Sequence, residues 1–328
     1  MSEGKTKSRF MSTKGARSVM TAFIGFVALF IIFSVLSSNF RTPANVQNLL
    51  RQIAPILIIG LGQGFVLLTG NIDLSIGSVV GMVCMTAGTL MTKGTNPLLA
   101  ILLALSMGLL VGVLNGILVA KFKLPAFIGT LGTMTLARGI AQLVNNNRNT
   151  DFIGTEAQWF RDSFYYGDIL KVYNAFWIGL ILLTVFYFIL SKTKYGRHVY
   201  AVGSNINAAR LSGVKTDNII LSTYVVSSFC ASMTGLMLLA SAGMGTMDAG
   251  GSYEMYAVAA CVIGGISTLG GSGILLGVLP GAAIWGILQN GLHFVGAPVA
   301  LRNIVIGIIV ILAVLLDIVR GPALSKKG

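Results

Sequence analysis

Apolar blocks of about the length needed to cross a bilayer recur along the whole of this chain. A spanning helix needs roughly 20 apolar residues. Ten such blocks can be read, at about 19–38, 52–69, 75–91, 98–120, 126–144, 174–191, 218–242, 254–269, 274–294 and 300–319. Only 10% of the 328 residues are charged and 55% are hydrophobic, whereas a soluble domain carries about 25% charged residues. The expectation is an all-α fold, a polytopic membrane helix bundle with about ten transmembrane helices. No polar stretch is long enough for a separate soluble domain.

The formal net charge of +13 raises the question of nucleic acid, and the placement of the charge answers it. With a cytoplasmic N-terminus, the inside segments hold Lys5, Lys7, Arg9, Lys14, Arg17, Lys121, Lys123, Lys192, Lys194, Arg197, Arg210, Lys215, Arg320, Lys326 and Lys327. The outside segments hold Arg41, Arg51, Lys93, Arg148, Arg161, Lys171 and Arg302. Fifteen against seven is the positive-inside bias of a multi-pass membrane protein. The basic charge is a topology signal in lipid, with no nucleic-acid partner implied and both termini cytoplasmic. The chain divides into a basic N-terminus 1–18, a transmembrane domain 19–320 and a tail 321–328. The first apolar run is too long for a signal peptide, and Ser37-Ser38-Asn39-Phe40 offers no small-x-small cleavage site, so the first span is read as uncleaved.

Two connecting segments are larger than a membrane protein needs to turn a corner. Asn145 to Tyr173 falls outside and carries Asp151, Glu156, Asp162 and Asp168 with Trp159, Phe164, Tyr165 and Tyr166. Such a segment fits either an amphipathic stretch on the bilayer or a docking lid. Lys192 to Asp217 falls inside and reads KTKYGRHVYAVGSNINAARLSGVKTD. It contains a short helix signal: Ser204 or Asn205 as cap, Asn207 to Ser212 as body and Gly213 as stop. A capped surface helix there can carry force from a soluble partner.

Small residues recur at helical spacing, at Gly108, Gly112 and Gly116 and at Gly277 and Gly281, which lets helix backbones approach closely. Packing within one chain is the expected use, rather than a dimer seam. Gly70-Asn71-Ile72-Asp73-Leu74-Ser75-Ile76-Gly77 interrupts two apolar runs. A carboxylate there is costly unless paired or solvated. Asp73 can accept backbone N–H bonds at Ser75 or Ile76, and Gly70 permits the break. This element either lines a pathway or forms a capped turn at the membrane surface. Polar breaks near Asp73 and Asp248 also leave room for an inverted pair of five-span halves.

Enzyme and metal signatures are missing. Gly264-Gly265-Ile266-Ser267-Thr268-Leu269-Gly270-Gly271-Ser272-Gly273 has no lysine after its glycines and is not a Walker A loop. It reads as a cytoplasmic turn between two helices. His198 and His293 lie far apart, and Cys84, Cys230 and Cys261 sit in apolar blocks as small hydrophobes. The expectation is no catalytic residue, no metal site and no cofactor on this chain. Gln63, Asn115, Gln289 and Asn290 can line a path for a hydroxylated solute or simply join helices. Arg138 lies inside a span, where it must snorkel or pair in the bundle.

Several motifs taken together resemble the ribose/galactose-type sugar permeases, the membrane subunits of bacterial ATP-binding-cassette importers for monosaccharides. Gly70 to Gly77 is similar to the GGIDLSVG stretch of that family, with Asn71 where glycine is usual. Gly196-Arg197, Ala201-Val202-Gly203-Ser204-Asn205 and Ala208-Ala209-Arg210-Leu211-Ser212-Gly213-Val214 resemble its GR-x-x-x-A-x-GGN-x-x-AA-x-x-SG[IV] pattern. Tyr253-Glu254, Ala257, Ala259-Ala260 and Val262 to Gly273 look like its YELDAIAAVVLGGTS-x-x-GG-x-G, with Met255-Tyr256 replacing Leu-Asp. Leu312 to Asp317 also fits. The resemblance implies a dimer of permease chains, identical or not, in a bacterial inner membrane. It implies a cytoplasmic ATPase that binds ATP with Mg, and an extracytoplasmic sugar-binding protein that delivers the solute. Gly203, Asn205 and Ala208 to Gly213 would form the helix coupled to the ATPase. The competing class is an ion-coupled secondary transporter, for which Asp73 is the main carboxylate candidate while Glu254 and Asp317 lie near span ends.

Overall fold

A computed structural model describes residues 3–301 and six positions beyond them (304, 305, 307, 308, 311 and 315), with side chains from Ser18 onward. The block at 300–319, the Leu312–Asp317 motif and the tail 321–328 therefore lie largely outside the described residues. The described chain is helical apart from one two-stranded hairpin. Strand β1 (Asp168–Ile169) pairs antiparallel with β2 (Val172–Tyr173), Asp168 opposite Tyr173.

Among the described residues six helices are long and apolar enough to cross a membrane: Ser18–Leu36 within α1 (Glu3–Leu36), α2 (Pro43–Leu68), α4 (Pro97–Gly116) with its π-helical end at Lys121, α7 (Asn174–Lys192), α10 (Thr216–Ala242), and α12 (Val278–Phe294) with the turn from Leu275 before it. The block at 75–91 becomes α3 (Ile76–Thr92), 17 residues long, and that at 126–144 becomes α5 (Ala126–Leu143), which carries Arg138. The outer segment adds α6 (Gln158–Arg161), and α8 (Lys194–Ser204), α9 (Ile206–Leu211) and α11 (Tyr253–Ile263) complete the set.

Two helix starts use the same device. Thr42 before Pro43 accepts from Asn45 N, and Asn96 before Pro97 accepts from Leu98 N at 2.9 Å. The side chain caps an orphan donor, and proline at the first helical position has no N–H to satisfy. Because of its cap, α2 begins nine residues before the expected 52, which puts Arg51 on the helix rather than in a loop.

The chain reverses direction at each long helix, so the bundle has two ends. At one end α2, α4 and α7 stop and α8–α9 form an elbow. At the other lie the β1–β2 hairpin and the outer segment. The block at 254–269 is not one continuous helix. Helix α11 has 11 residues, a rise of about 16 Å against the ~30 Å of a bilayer core. The residues before it supply the missing depth. Methyl groups added at Gly88 and Gly81 would lie 3.1 Å from Gly245 N and 2.7 Å from Ala249 O. Residues 245–250 thus run back along α3 from the hairpin end into the bundle, and α11 starts at half depth. Irregular backbone at that depth survives only where protein or a water-lined cavity satisfies it. Arg138 supplies part of this: its guanidinium donates to Met247 O at 2.7 Å, Ala249 O at 3.1 Å and Gly77 O at 3.4 Å. The arginine pairs inside the bundle.

Helix α10 is the hub, packed on α2, α3 and α4 through small residues. Gly108, Gly112 and Gly116 of α4 all face it, next to Ser232, Ser228 and Leu221 in turn. Gly62 of α2 meets Ser227, and Gly235 of α10 itself lies under Val80 O. The glycine row on α4 is an internal seam, so close approach here substitutes for the hydrophobic driving force that lipid does not provide. A methyl at Gly112 would sit 2.8 Å from Tyr224 O, whereas nothing lies within 4 Å of one at Gly132 on α5. Gly112→Leu is expected to cost about 1–3 kcal/mol through overpacking, and Gly132→Ala to be neutral or mildly stabilising. Thermal unfolding in detergent checks the pair, and equal melting temperatures would refute the packing seam.

Candidate functional site

Between α2 and α3 the chain unwinds over residues 69–75. Gly70 carries the left-handed turn, with φ +75°. Asn71 needs no unusual backbone angle, and its amide donates to Thr69 Oγ1 at 3.1 Å. Asp73 follows and is fully buried. Its Oδ1 accepts from Ser75 N at 3.0 Å and from Ser75 Oγ at 2.6 Å, and its Oδ2 accepts from Ser227 Oγ of α10 at 2.9 Å. The bond to Ser75 N closes a turn one residue ahead of α3, and no bond to Ile76 N accompanies it.

The network extends outward from that carboxylate. Asn115 of α4 donates to Ser75 Oγ at 2.8 Å and accepts from Thr133 Oγ1 of α5 at 2.6 Å. Tyr224 of α10 donates to Ile72 O at 3.1 Å. The break between α2 and α3 is therefore bonded to α4, α5 and α10 at once. A buried carboxylate is tolerated when its lone pairs are used in this way. Of the polar span residues, Asn115 is committed to this network. Asn290 is bonded to Asn45 at 2.9 Å and Gln52 at 3.2 Å, a helix-to-helix contact. Gln289 is half-buried, and Gln63 is fully buried with neither amide atom paired.

The elbow sits directly beneath the break. Sequence reasoning placed one short helix in Lys192–Asp217, and the structure has two. Helix α8 was overlooked, although Thr193 caps it by accepting from Gly196 N at 3.2 Å, and Tyr195, Val199 and Val202 recur at helical spacing on its packed face. Helix α9 starts where Asn205 Oδ1 accepts from Ala208 N at 3.0 Å, and Gly213 stops it at φ +84°. On α9 only Ala209 is buried, while Ala208, Arg210 and Ser212 are exposed and Leu211 is 91% exposed.

Helix α8 docks where two irregular segments meet. Gly203 lies so close to Leu68 O and Gly271 N that a side chain there would clash with both. Gly271 N in turn donates to Leu68 O at 2.9 Å, joining the glycine-rich segment to the end of α2. Tyr200 of α8 donates to Gly273 O at 2.9 Å. Burial, with Tyr187 as a smaller influence, pushes its hydroxyl pKa up to about 12, so Tyr200 remains a donor at any physiological pH. The segment 264–273 is not a simple tight turn. Gly265, Gly270 and Gly271 all have positive φ, Ser267 N closes on Ser272 O at 3.1 Å, and Gly264 packs against Gly277. An open cleft of about 580 Å³ lies alongside, lined by Gly70 and Asn71 of the break, Gly203 and Asn205 of the elbow, and Lys123 and Arg210. Asp217 holds the rim together, 2.7 Å from Lys123 and 3.8 Å from Arg210.

The physical content of this site is mechanical. An elbow presents an exposed helix to solvent and abuts, through close backbone contacts, a helix break wired to three other elements. Among the described residues no group of three or more His, Cys, Asp or Glu comes together. Asp73→Asn keeps an oxygen for Ser75 and an amide for Ser227, whereas Asp73→Leu strands both, at about 1–3 kcal/mol per lost partner. The leucine variant is expected to melt well below the asparagine variant. Equal melting temperatures would mean that the carboxylate does not organise the break.

Comparison with known proteins places this arrangement in a family. The family model described as branched-chain amino acid transport system, permease component, matches residues 45–314. The ribose import permease protein RbsC of Bacillus subtilis is 35% identical over 95% of this chain and 97% of its own. The protein of the same name from Escherichia coli K12 is 36% identical over 93% and 95%. The autoinducer 2 import system permease protein LsrC of Photorhabdus luminescens is 31% identical over 91% and 89%. No solved structure matches the chain. Spanning helices, an internally satisfied break and a match over most of the sequence agree: the chain belongs to the permease-component family of the branched-chain amino acid transport systems.

Proposed function

We propose that this permease forms the translocation pathway of an ATP-driven, binding-protein-dependent importer in a bacterial cytoplasmic membrane, and that its cargo is a monosaccharide or related polyol. The relatives named for ribose and for autoinducer 2 import support a small polyhydroxylated solute. In this reading ten spans place both termini in the cytoplasm, with α5, α3 and α11 together with its re-entrant approach filling the places of full-length helices. The interruptions at 69–75 and 243–252 are the kind of feature an inverted five-span repeat would contain. Two permease chains, identical or not, enclose the path. The ATPase, holding ATP with Mg, and the external sugar-binding protein are separate subunits.

The observation that carries this proposal is the elbow. Helix α9 is short, capped at both ends and nearly bare, with Leu211 facing solvent. A side chain so exposed contributes nothing to the fold, and an apolar anchor seated in a partner's groove is its natural use. Movement of the ATPase would push α9. Helix α8 would transmit the push through Gly203 and Tyr200 to the end of α2 and to the glycine-rich segment, and Asp73 would pass it to α4, α5 and α10. Both oxygens of Asp73 already accept structural bonds, which counts against that residue as an ion-coupling carboxylate.

Leu211→Glu is expected to leave the melting temperature unchanged and to abolish co-purification with the ATPase together with ATP-driven uptake. Gly213→Pro should uncouple hydrolysis from transport, because a proline cannot adopt φ +84°. Retention of the ATPase and of coupled uptake in both variants would remove the elbow from the drive path.

A further inference from the structure

At half depth, on the hairpin side of the bundle, lies a cavity of about 210 Å³. This is smaller than the ~300 Å³ lower bound of drug-sized pockets. Its walls include Gln52 of α2, Tyr165 of the outer segment, Tyr253 and Tyr256 from the first turn of α11, and Trp285 and Gln289 of α12. The chemistry is mixed, with aromatic rings and two carboxamides among the walls. A neighbouring cavity shows the contrast. It is formed by Phe23, Phe26 and Phe30 of α1 with α2 and α12 and has almost no polar lining, as a lipid-facing crevice should.

Two independent observations mark the mixed cavity as a ligand site. First, Trp285 is completely buried and its indole N–H has no hydrogen-bond partner. An orphaned buried donor costs about 1–3 kcal/mol, and a solute acceptor in the cavity beside it would relieve that cost. Second, Gln52 is exposed and Gln289 half-buried within membrane helices, and a carboxamide facing hydrocarbon would be penalised, so this face looks onto water. The Tyr256 and Trp285 rings lie 4.3 Å apart with an interplanar angle of 34°, forming one apolar wall. Arg51 stacks on Tyr165 at 5.0 Å, Tyr166 at 5.2 Å and Tyr173 at 4.3 Å, which fixes the outer segment over the opening.

We infer that this cavity is a transient binding site for a single monosaccharide ring on the external half of the pathway. The aromatic wall takes a C–H face, while Gln52, Gln289 and the Trp285 N–H take hydroxyl groups. The inference rests on the reading of the chain as a sugar permease and deepens it.

The test uses the complete importer, with ATPase and binding protein, in proteoliposomes. Ribose, glucose and inositol are offered, and the variants are measured with whichever the unaltered complex imports. Trp285→Phe keeps an aromatic ring but removes the N–H together with part of the indole's bulk, and Gln289→Leu removes one carboxamide. Each is expected to lower the sugar imported per ATP about fivefold, equivalent to about 1 kcal/mol, while binding-protein-stimulated ATP hydrolysis holds in both and the melting temperature holds in Gln289→Leu. Unchanged sugar per ATP in both variants overturns the site. Parallel loss of uptake, hydrolysis and thermal stability also overturns it, by showing a scaffold role. If the unaltered complex imports none of the three sugars in the presence of ATP, the reading of the chain as a sugar permease fails instead.

Discussion

Burying Asp73 is the constraint around which this bundle is arranged. A carboxylate removed from water demands donors for its oxygens, and no single helix can supply them. Ser75 answers from the carboxylate's own turn and Ser227 from α10. Ser75 then needs Asn115, and Asn115 needs Thr133. Each satisfied group creates the requirement that fixes the next, until α4, α5 and α10 are held in register about one unwound segment. Such cooperative networks specify a unique arrangement when complete and destabilise when partial.

The apolar surroundings serve the same end. Leucines and isoleucines facing lipid cannot tell one helix neighbour from another, because lipid is as apolar as they are. Selectivity between neighbours comes from the glycine and serine positions along α2, α4 and α10, where backbones come within reach of each other. Short polar side chains at those positions can then bond across the seam, as Ser227 does. The elbow follows the same rule, with Gly203 admitting Leu68 O and Gly271 N at close range.

Much of this was legible in the sequence. Long apolar runs gave most of the spanning helices, the asparagine and glycine bracketing 206–212 gave α9, and a carboxylate between glycines gave the break at 70–75. What stayed hidden depends on contacts distant in sequence. The apolar run at 254–269 looks continuous because hydropathy does not register that its second half is a glycine-rich irregular segment, or that residues 245–250 fold back along α3. Arg138 looked ambiguous because its partners are backbone carbonyls 61 to 111 residues away, and carbonyls carry no sequence signal. Helix α8 did leave a trace in Tyr195, Val199 and Val202, but a run of basic residues obscured it. The roles of Asp73 in the break and Asn115 in the core were written in residue type. The partners that decide between lining a path and joining helices were not.

Arg138 has a consequence for how such a protein can move. One planar guanidinium bonded to Met247 O, Ala249 O and Gly77 O clamps α5, the start of α3 and the folded-back segment into one piece. Sliding any of the three past another would strip a full charge of its acceptors inside the bundle. Those parts therefore travel together, and flexion is left to joints without such a clamp. The elbow bears on the end of α2 and on the glycine-rich segment, where Gly271 N donates to Leu68 O, outside that clamp. The molecule is thus divided into a stiff block and an articulated edge, and the elbow rests on the edge.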